Sequence, residues 1–274
     1  MTSPTAPASD RPTVRHILLL LLVGVIGGTF SGALGVGGGI IMVPLLLTLL
    51  KFDQRRAAAT SLAAIVLSSI SGAASYFAAG HTDVLAGLLL GAGGVVGSLI
   101  GTRLLKVLPI AILRWGFIAL LVVIALRMIL VVPDRSEGID IQVASAIGLV
   151  AAGLVVGILA GMFGIGGGVL IVPVLVAVFG ASDLVAKGTS LLAMIPISIS
   201  GSIANVRNQL VRPLDGAVIG VAALLASFGG AAIAFILPPW LSTLIFGVFV
   251  LATAIQLTIR AIRQQRASKQ GDAT

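Results

Sequence analysis

Gly35-Val36-Gly37-Gly38-Gly39-Ile40-Ile41-Met42-Val43-Pro44 sits inside a long apolar segment that runs from Ile17 to Leu50. Glycine is about 1 kcal/mol worse than alanine in a helix interior and proline about 3 kcal/mol worse, so this run predicts a helix that stops and restarts. A break at membrane depth survives only where its freed backbone groups face protein or a water-filled cavity. The pattern then returns as Gly164-Ile165-Gly166-Gly167-Gly168-Val169-Leu170-Ile171-Val172-Pro173, and both 164 − 35 and 173 − 44 give 129. One improbable feature, written twice at one offset, marks the two breaks as the expected functional centre.

The composition fits a chain dissolved in lipid. Hydrophobic residues make up 58% and charged residues 9%, against about 25% charged in soluble domains. The apolar runs are continuous and lack the alternation of a membrane barrel. The absence of cysteine excludes disulfides, iron–sulfur clusters and thiolate metal sites. The net charge of +8 does not point to nucleic acid, because basic residues between spans are what cytoplasmic loops carry.

Residues 1–16 read as an uncleaved cytoplasmic tail, since the apolar run that follows is too long for a signal peptide. Ile17–Leu34 and Gly39–Leu50 are the two arms of the first broken segment. A basic loop at 51–56 leads to a hydroxyl-rich span over about 57–79. Next come a turn at 80–83, a glycine-rich span to about 105 and a further span opened by Pro109. Glycines at about four-residue spacing in the span to about 105 allow close helix contact in lipid. Further identities recur at the same offset, among them Gly32, Thr60, Ser61, Ser69, Gly72, Ser98 and Pro109 with Gly161, Thr189, Ser190, Ser198, Gly201, Ser227 and Pro238. The chain is a tandem duplication. Its divisions are a first membrane repeat at 17–131, an external connection at 132–142, a second repeat at 143–260 and a basic cytoplasmic tail at 261–274.

Positive charge selects the topology. If each broken segment returns to its side of entry as a hairpin, 14 of the 17 Lys and Arg residues face the cytoplasm. Only Arg127, Arg135 and Lys187 then lie outside. If each crosses once, the division is 10 against 7. The expected fold is therefore an all-α polytopic membrane protein of two inverted repeats. Each repeat is a Gly-broken helical hairpin plus three spanning helices, giving about eight hydrophobic helical segments or more. Both termini face the cytoplasm.

Two copies of G-x-G-G-G-x-x-x-V-P, each followed by a helix that begins with a Thr-Ser pair, resemble the TauE/SafE family of sulfite-exporter and sulfonate-permease type membrane proteins. The resemblance covers about Ile17 to Arg260. It implies secondary transport of a small anion, often sulfur-containing, across the bacterial inner membrane. It also implies an acidic residue after the second span; Asp83 stands there, and Asp215 stands three residues away from the equivalent place.

The residues themselves supply an anion site. An interrupted helix exposes unpaired N–H groups at the arm that restarts, with roughly half a positive charge there. Gly35, Gly37, Gly38 and Gly39, with Gly164, Gly166, Gly167 and Gly168, would cradle an anion from both repeats. Thr60, Ser61, Thr189 and Ser190 add hydroxyl donors, and Asn205 a polar end to its helix where the first repeat has Tyr76. The plainer reading of the glycines is close packing, and of the hydroxyls bonding within their own helix. Mid-span acids are absent, which gives a proton relay through carboxylates no support. The motif is no dinucleotide fingerprint, because Ile40 stands where the third glycine should be. No histidine lies in a span to serve a hydrolase, so no catalytic residue, cofactor or metal site is expected. The partners expected are the anion and the lipid bilayer, with self-association left open and nucleic acid excluded. A passive anion channel or a non-transporting scaffold are the alternative readings.

Overall fold

Both predicted breaks are present. The computed structural model describes residues 14–130, 143–238, 240, 241, 244, 247, 248, 251–259, 261 and 262. The connection at 132–142 and most of the two tails lie outside the described residues. Helix α1 (Val14–Leu34) ends at the first break and α2 (Gly39–Leu49) restarts from it. There follow α3 (Gln54–Ala78), α4 (Val84–Val107) and α5 (Ile110–Leu130). The second half gives α6 (Val143–Phe163), α7 (Gly168–Phe179), α8 (Asp183–Arg207) and α9 (Pro213–Ile236), with residues 251–259 helical beyond them. Starts of α6 to α9 fall 129 after those of α1 to α4: 143 − 14, 168 − 39, 183 − 54 and 213 − 84. Among the described residues, six helices (α1, α3, α4, α6, α8 and α9) are long and apolar enough to cross a membrane.

Helix starts are set by caps. The Asp53 carboxylate accepts the Arg56 N–H at 3.0 Å, and the Asp83 carboxylate accepts the Ala86 N–H at 2.9 Å. These bonds satisfy donors that no helix turn can reach. With the Ser182 cap of α8, they set two boundaries differently from the sequence reading. Gln54, Arg55 and Arg56 form the first turn of α3 rather than a loop, and Lys187 lies one turn inside α8 rather than in an external connection.

Glycine determines which helices touch. Carbon atoms added at Gly24, Gly28 and Gly32 of α1 would strike the backbone of α9 near Ile219, Ala223 and Ser227. Gly93, Gly97 and Gly101 of α4 likewise abut α6 near Val150, Leu154 and Ile158. Backbone-to-backbone contact of this kind is what holds helices together where lipid removes the hydrophobic drive. Both pairs run parallel, because residue numbers rise together. In contrast α3 and α8, which occupy equivalent places in the two halves, run antiparallel: Leu62 meets Gly201, Gly72 meets Leu191 and Tyr76 meets Gly188.

The first broken segment is a hairpin. Near the start of α1, the His16 ring lies 6.2 Å from the Phe52 ring, between α2 and α3. It also bonds Asp215 at the start of α9. So α2 returns to the end from which α1 set out. At 21 residues α1 is about 31 Å long and α2, at 11, about 16 Å. The long arm is thus comparable with the ~30 Å hydrocarbon layer.

Candidate functional site

The two breaks meet each other. Gly39 packs against Gly164 and Ile165, and Gly168 packs against Gly35 and Val36, so each restart abuts the opposite break. Every residue from Gly35 to Gly39 and from Gly164 to Gly168 is buried. Gly38 and Gly167 cap α2 and α7 with φ of 71° and 94°. An L-residue with a side chain resists that left-handed conformation by about 1–2 kcal/mol, which accounts for glycine at both caps. The space between the breaks is filled by two side chains that sequence reading overlooked, Ile65 and Met194, themselves 129 apart and at the middles of α3 and α8. A carbon atom added at Gly37 or Gly166 would run into the Met194 methyl and Ile65.

Hydrogen bonding cross-links this centre. Ser61 donates to the Gly164 carbonyl at 2.8 Å, and Ser190 donates to the Gly35 carbonyl at 2.9 Å. The expected donors Ser61 and Ser190 are therefore committed to the backbone of the opposite repeat, and act on its shape. Thr189 takes another direction, accepting the Asp83 N–H at 2.9 Å. The Thr60 hydroxyl is buried without a partner. Among the described residues, the backbone N–H groups of 36–40 and 165–169 find no acceptor. The first N–H groups of any helix lack a partner within it, and here the two restarts place such groups together in a buried centre.

Asn205 stands on α8 where the first repeat has Tyr76 on α3. It lies 15 residues beyond Ser190, about 22 Å along α8. It is fully buried, with neither amide atom hydrogen-bonded. Its counterpart Tyr76 instead donates to the Gly32 carbonyl at 2.9 Å. The two ends of the molecule are thus chemically unlike.

Two charged clusters, not foreseen in the sequence, flank the centre. At the end holding the α1 and α3 starts, Asp215 is 1% exposed. It accepts Arg56 Nη2 at 2.8 Å and lies 3.2 Å from His16 Nε2, while the Arg56 guanidinium stacks 4.0 Å from the Phe52 ring. At the other end Lys187, only 3% exposed, pairs with Asp183 at 2.7 Å. The Lys187 stem packs directly on Gly35. Spacing alone carried a signal for this pair, since Asp and Lys at i and i+4 face each other on a helix. Among the described residues no group of three His, Asp or Glu side chains is placed to hold a metal ion.

Comparison with known proteins gives one family. A family model described as "Sulfite exporter TauE/SafE" matches residues 2–128 and 149–273. The chain is similar to the Probable membrane transporter protein YdhB of Bacillus subtilis (strain 168), 26% identical over 81% of this chain and 91% of that protein. It is 28% identical to YunE of the same organism, likewise named a probable membrane transporter protein, over 79% and 88%. A probable membrane transporter protein of Haemophilus influenzae is 30% identical over 72% and 76%. No solved structure matches.

Proposed function

Because the chain belongs to the sulfite exporter TauE/SafE family of membrane transporters, we propose that it carries a small anion, sulfite or an organosulfonate in class, across the bacterial inner membrane. The observation that carries this reading is the set of unpaired N–H groups at residues 36–40 and 165–169, buried where the two breaks meet. The N-termini of α2 and α7 converge there, and together they present roughly one positive charge to an ion held between them. Gly37, Gly38 and Gly39, with Gly166, Gly167 and Gly168, supply the donors. Ser61 and Ser190 fix the cradle by holding the carbonyls of Gly164 and Gly35. Thr60, with its unpartnered hydroxyl, is available to the ion, and Asn205 lines its route at one end.

Transport proceeds by alternating access, with α3 and α8 moving against one another across the site. The antiparallel run of these equivalent helices supports an inverted pair of repeats, the architecture in which two like halves open to opposite sides. Met194 and Ile65 fill the centre in this conformation and must withdraw when an anion enters. The end carrying Lys51, Arg55, Arg56 and Arg212 faces the cytoplasm, as basic residues favour, and both termini lie there too. The test is counterflow in proteoliposomes with sulfite, sulfate, methanesulfonate and acetate. Exchange of a preloaded anion, saturable and faster than net flux, is the expected result. Flux without counterflow would make the protein a channel.

A further inference from the structure

Lys187 and Asp183 have no counterparts in the first repeat, where the equivalent positions hold Ala58 and Gln54. The symmetry therefore breaks at the tip of one hairpin. Ala58 packs against Gly164 just as Lys187 packs against Gly35, so the base of a lysine stem lies beside one break and a methyl group beside the other, while the ammonium pairs with Asp183 at 2.7 Å. A surface pair at this spacing would extend its lysine into water, whereas Lys187 is 3% exposed. One turn further along α8, Ser190 holds the Gly35 carbonyl, so both side chains address the same break residue.

We infer that Lys187 is a substrate-contacting residue that adapts the anion site to a divalent anion, and that Asp183 holds its charge while the site is empty. This rests on the proposed anion site at the paired breaks. Two helix N-termini offer about one positive charge in sum, sufficient for a monoanion. A dianion such as sulfate or sulfite leaves one charge uncompensated in a low-dielectric site, where that imbalance is severe. Lysine has a flexible four-carbon stem, long enough to cover one helical turn of about 5.4 Å. Released from Asp183, which lies one turn away from the centre, the ammonium reaches the level of Gly35 to Gly37. The exchange keeps the lysine neutralised throughout: by Asp183 without substrate, by the anion with it.

Sulfate and methanesulfonate test this well, since both are tetrahedral sulfur anions of similar size that differ by one charge. Counterflow KM and kcat are measured for both with wild type, Asp183→Asn, Lys187→Gln and the double variant Asp183→Asn/Lys187→Gln. The double variant removes both charges and keeps an amide pair, so it folds even where Lys187→Gln alone leaves Asp183 uncompensated. The wild type should prefer sulfate. In the double variant the sulfate KM should rise about tenfold or more, with methanesulfonate changed less than about threefold. Asp183→Asn should lower the sulfate KM, an effect that loss of a structural ion pair cannot produce. Equal effects on both anions, a wild-type preference for methanesulfonate, or wild-type kinetics in the double variant would overturn the role of Lys187 while leaving the anion site standing. Absence of counterflow by wild type for all four anions of the panel would overturn the site, and this inference with it.

Discussion

Replacing Gly38 by alanine should damage the protein more than replacing Gly167, although the two cap equivalent helices. Both caps are left-handed, at φ of 71° and 94°, so both substitutions carry the same strain of about 1–2 kcal/mol. They differ in what the new methyl group meets. At Gly38 it falls on the carbonyl of Gly27, with the carbonyl carbon at 2.8 Å, and that is backbone of the packed helix α1. A helix cannot rotate such a group away, and the overpacking adds about 1–3 kcal/mol. At Gly167 the nearest atom is a Val156 methyl at 2.6 Å, and the next two neighbours lie at ordinary contact distances of 3.5 and 3.7 Å. A shifted valine costs about 0.5–1.5 kcal/mol. Gly38→Ala should therefore lose about 1 kcal/mol more than Gly167→Ala, a further fall of about 2–4 °C in melting temperature for a chain of this size. Melting in detergent, followed by size exclusion, reads the difference. Counterflow should fall further in Gly38→Ala, because moving the cap moves the N-terminus of α2. If Gly167→Ala proved equally or more destabilised, the packing argument around the caps would be refuted.

Three other expectations follow from the same geometry. Met194→Ile should slow counterflow severalfold, because a β-branched side chain filling the gap has less freedom to leave it. Its stability should stay within about 1.5 kcal/mol of wild type, as volume-conserving exchanges do, so slow transport from an unstable protein would contradict the idea. Ser61→Ala and Ser190→Ala each remove one hydroxyl bond to the opposite break and should each cost about 1 kcal/mol; denaturant titration showing no loss in either would mean these bonds hold nothing. In this cysteine-free chain, Lys51→Cys should react with an impermeant thiol reagent only from the cytoplasmic side and His81→Cys only from outside, and the opposite pattern would invert the orientation.

Much of the architecture was legible because the duplication is nearly gapless. An offset of 129, read from the repeated glycine motif and the identities around it, recurs in the starts of four pairs of helices. Composition gave lipid as the solvent, and the glycine runs gave the breaks, whereas Pro44 and Pro173 are accommodated inside α2 and α7. What the sequence withheld is what depends on distant partners. Ser61 and Ser190 reach carbonyls 103 and 155 residues away, and no local pattern distinguishes them from serines that bond within their own helix, as Ser71 and Ser75 do. Met194 and Ile65 read as ordinary core residues until the two breaks are seen to close around them. Lys187 was misplaced for a different reason. Charged residues near an apolar run look like loop, but Ser182 caps α8 ahead of them, and pairing with Asp183 allows the lysine to lie inside the helix. Asn205 was found from its polarity, but its complete burial without a hydrogen-bond partner comes from tertiary packing that the sequence does not show.

The most direct test of the central claim is to locate the anion itself. Selenate has the shape and charge of sulfate and scatters anomalously, so crystals of the full chain soaked or grown with it would show its position. An anomalous peak is expected between the two breaks, within hydrogen-bond distance of backbone N–H groups among residues 36–40 and 165–169, with the Met194 side chain moved from the place it now fills. A peak confined to the Arg56 and His16 cluster, or a bound and transported selenate that leaves Met194 packed on Gly37 and Gly166, would contradict the central claim.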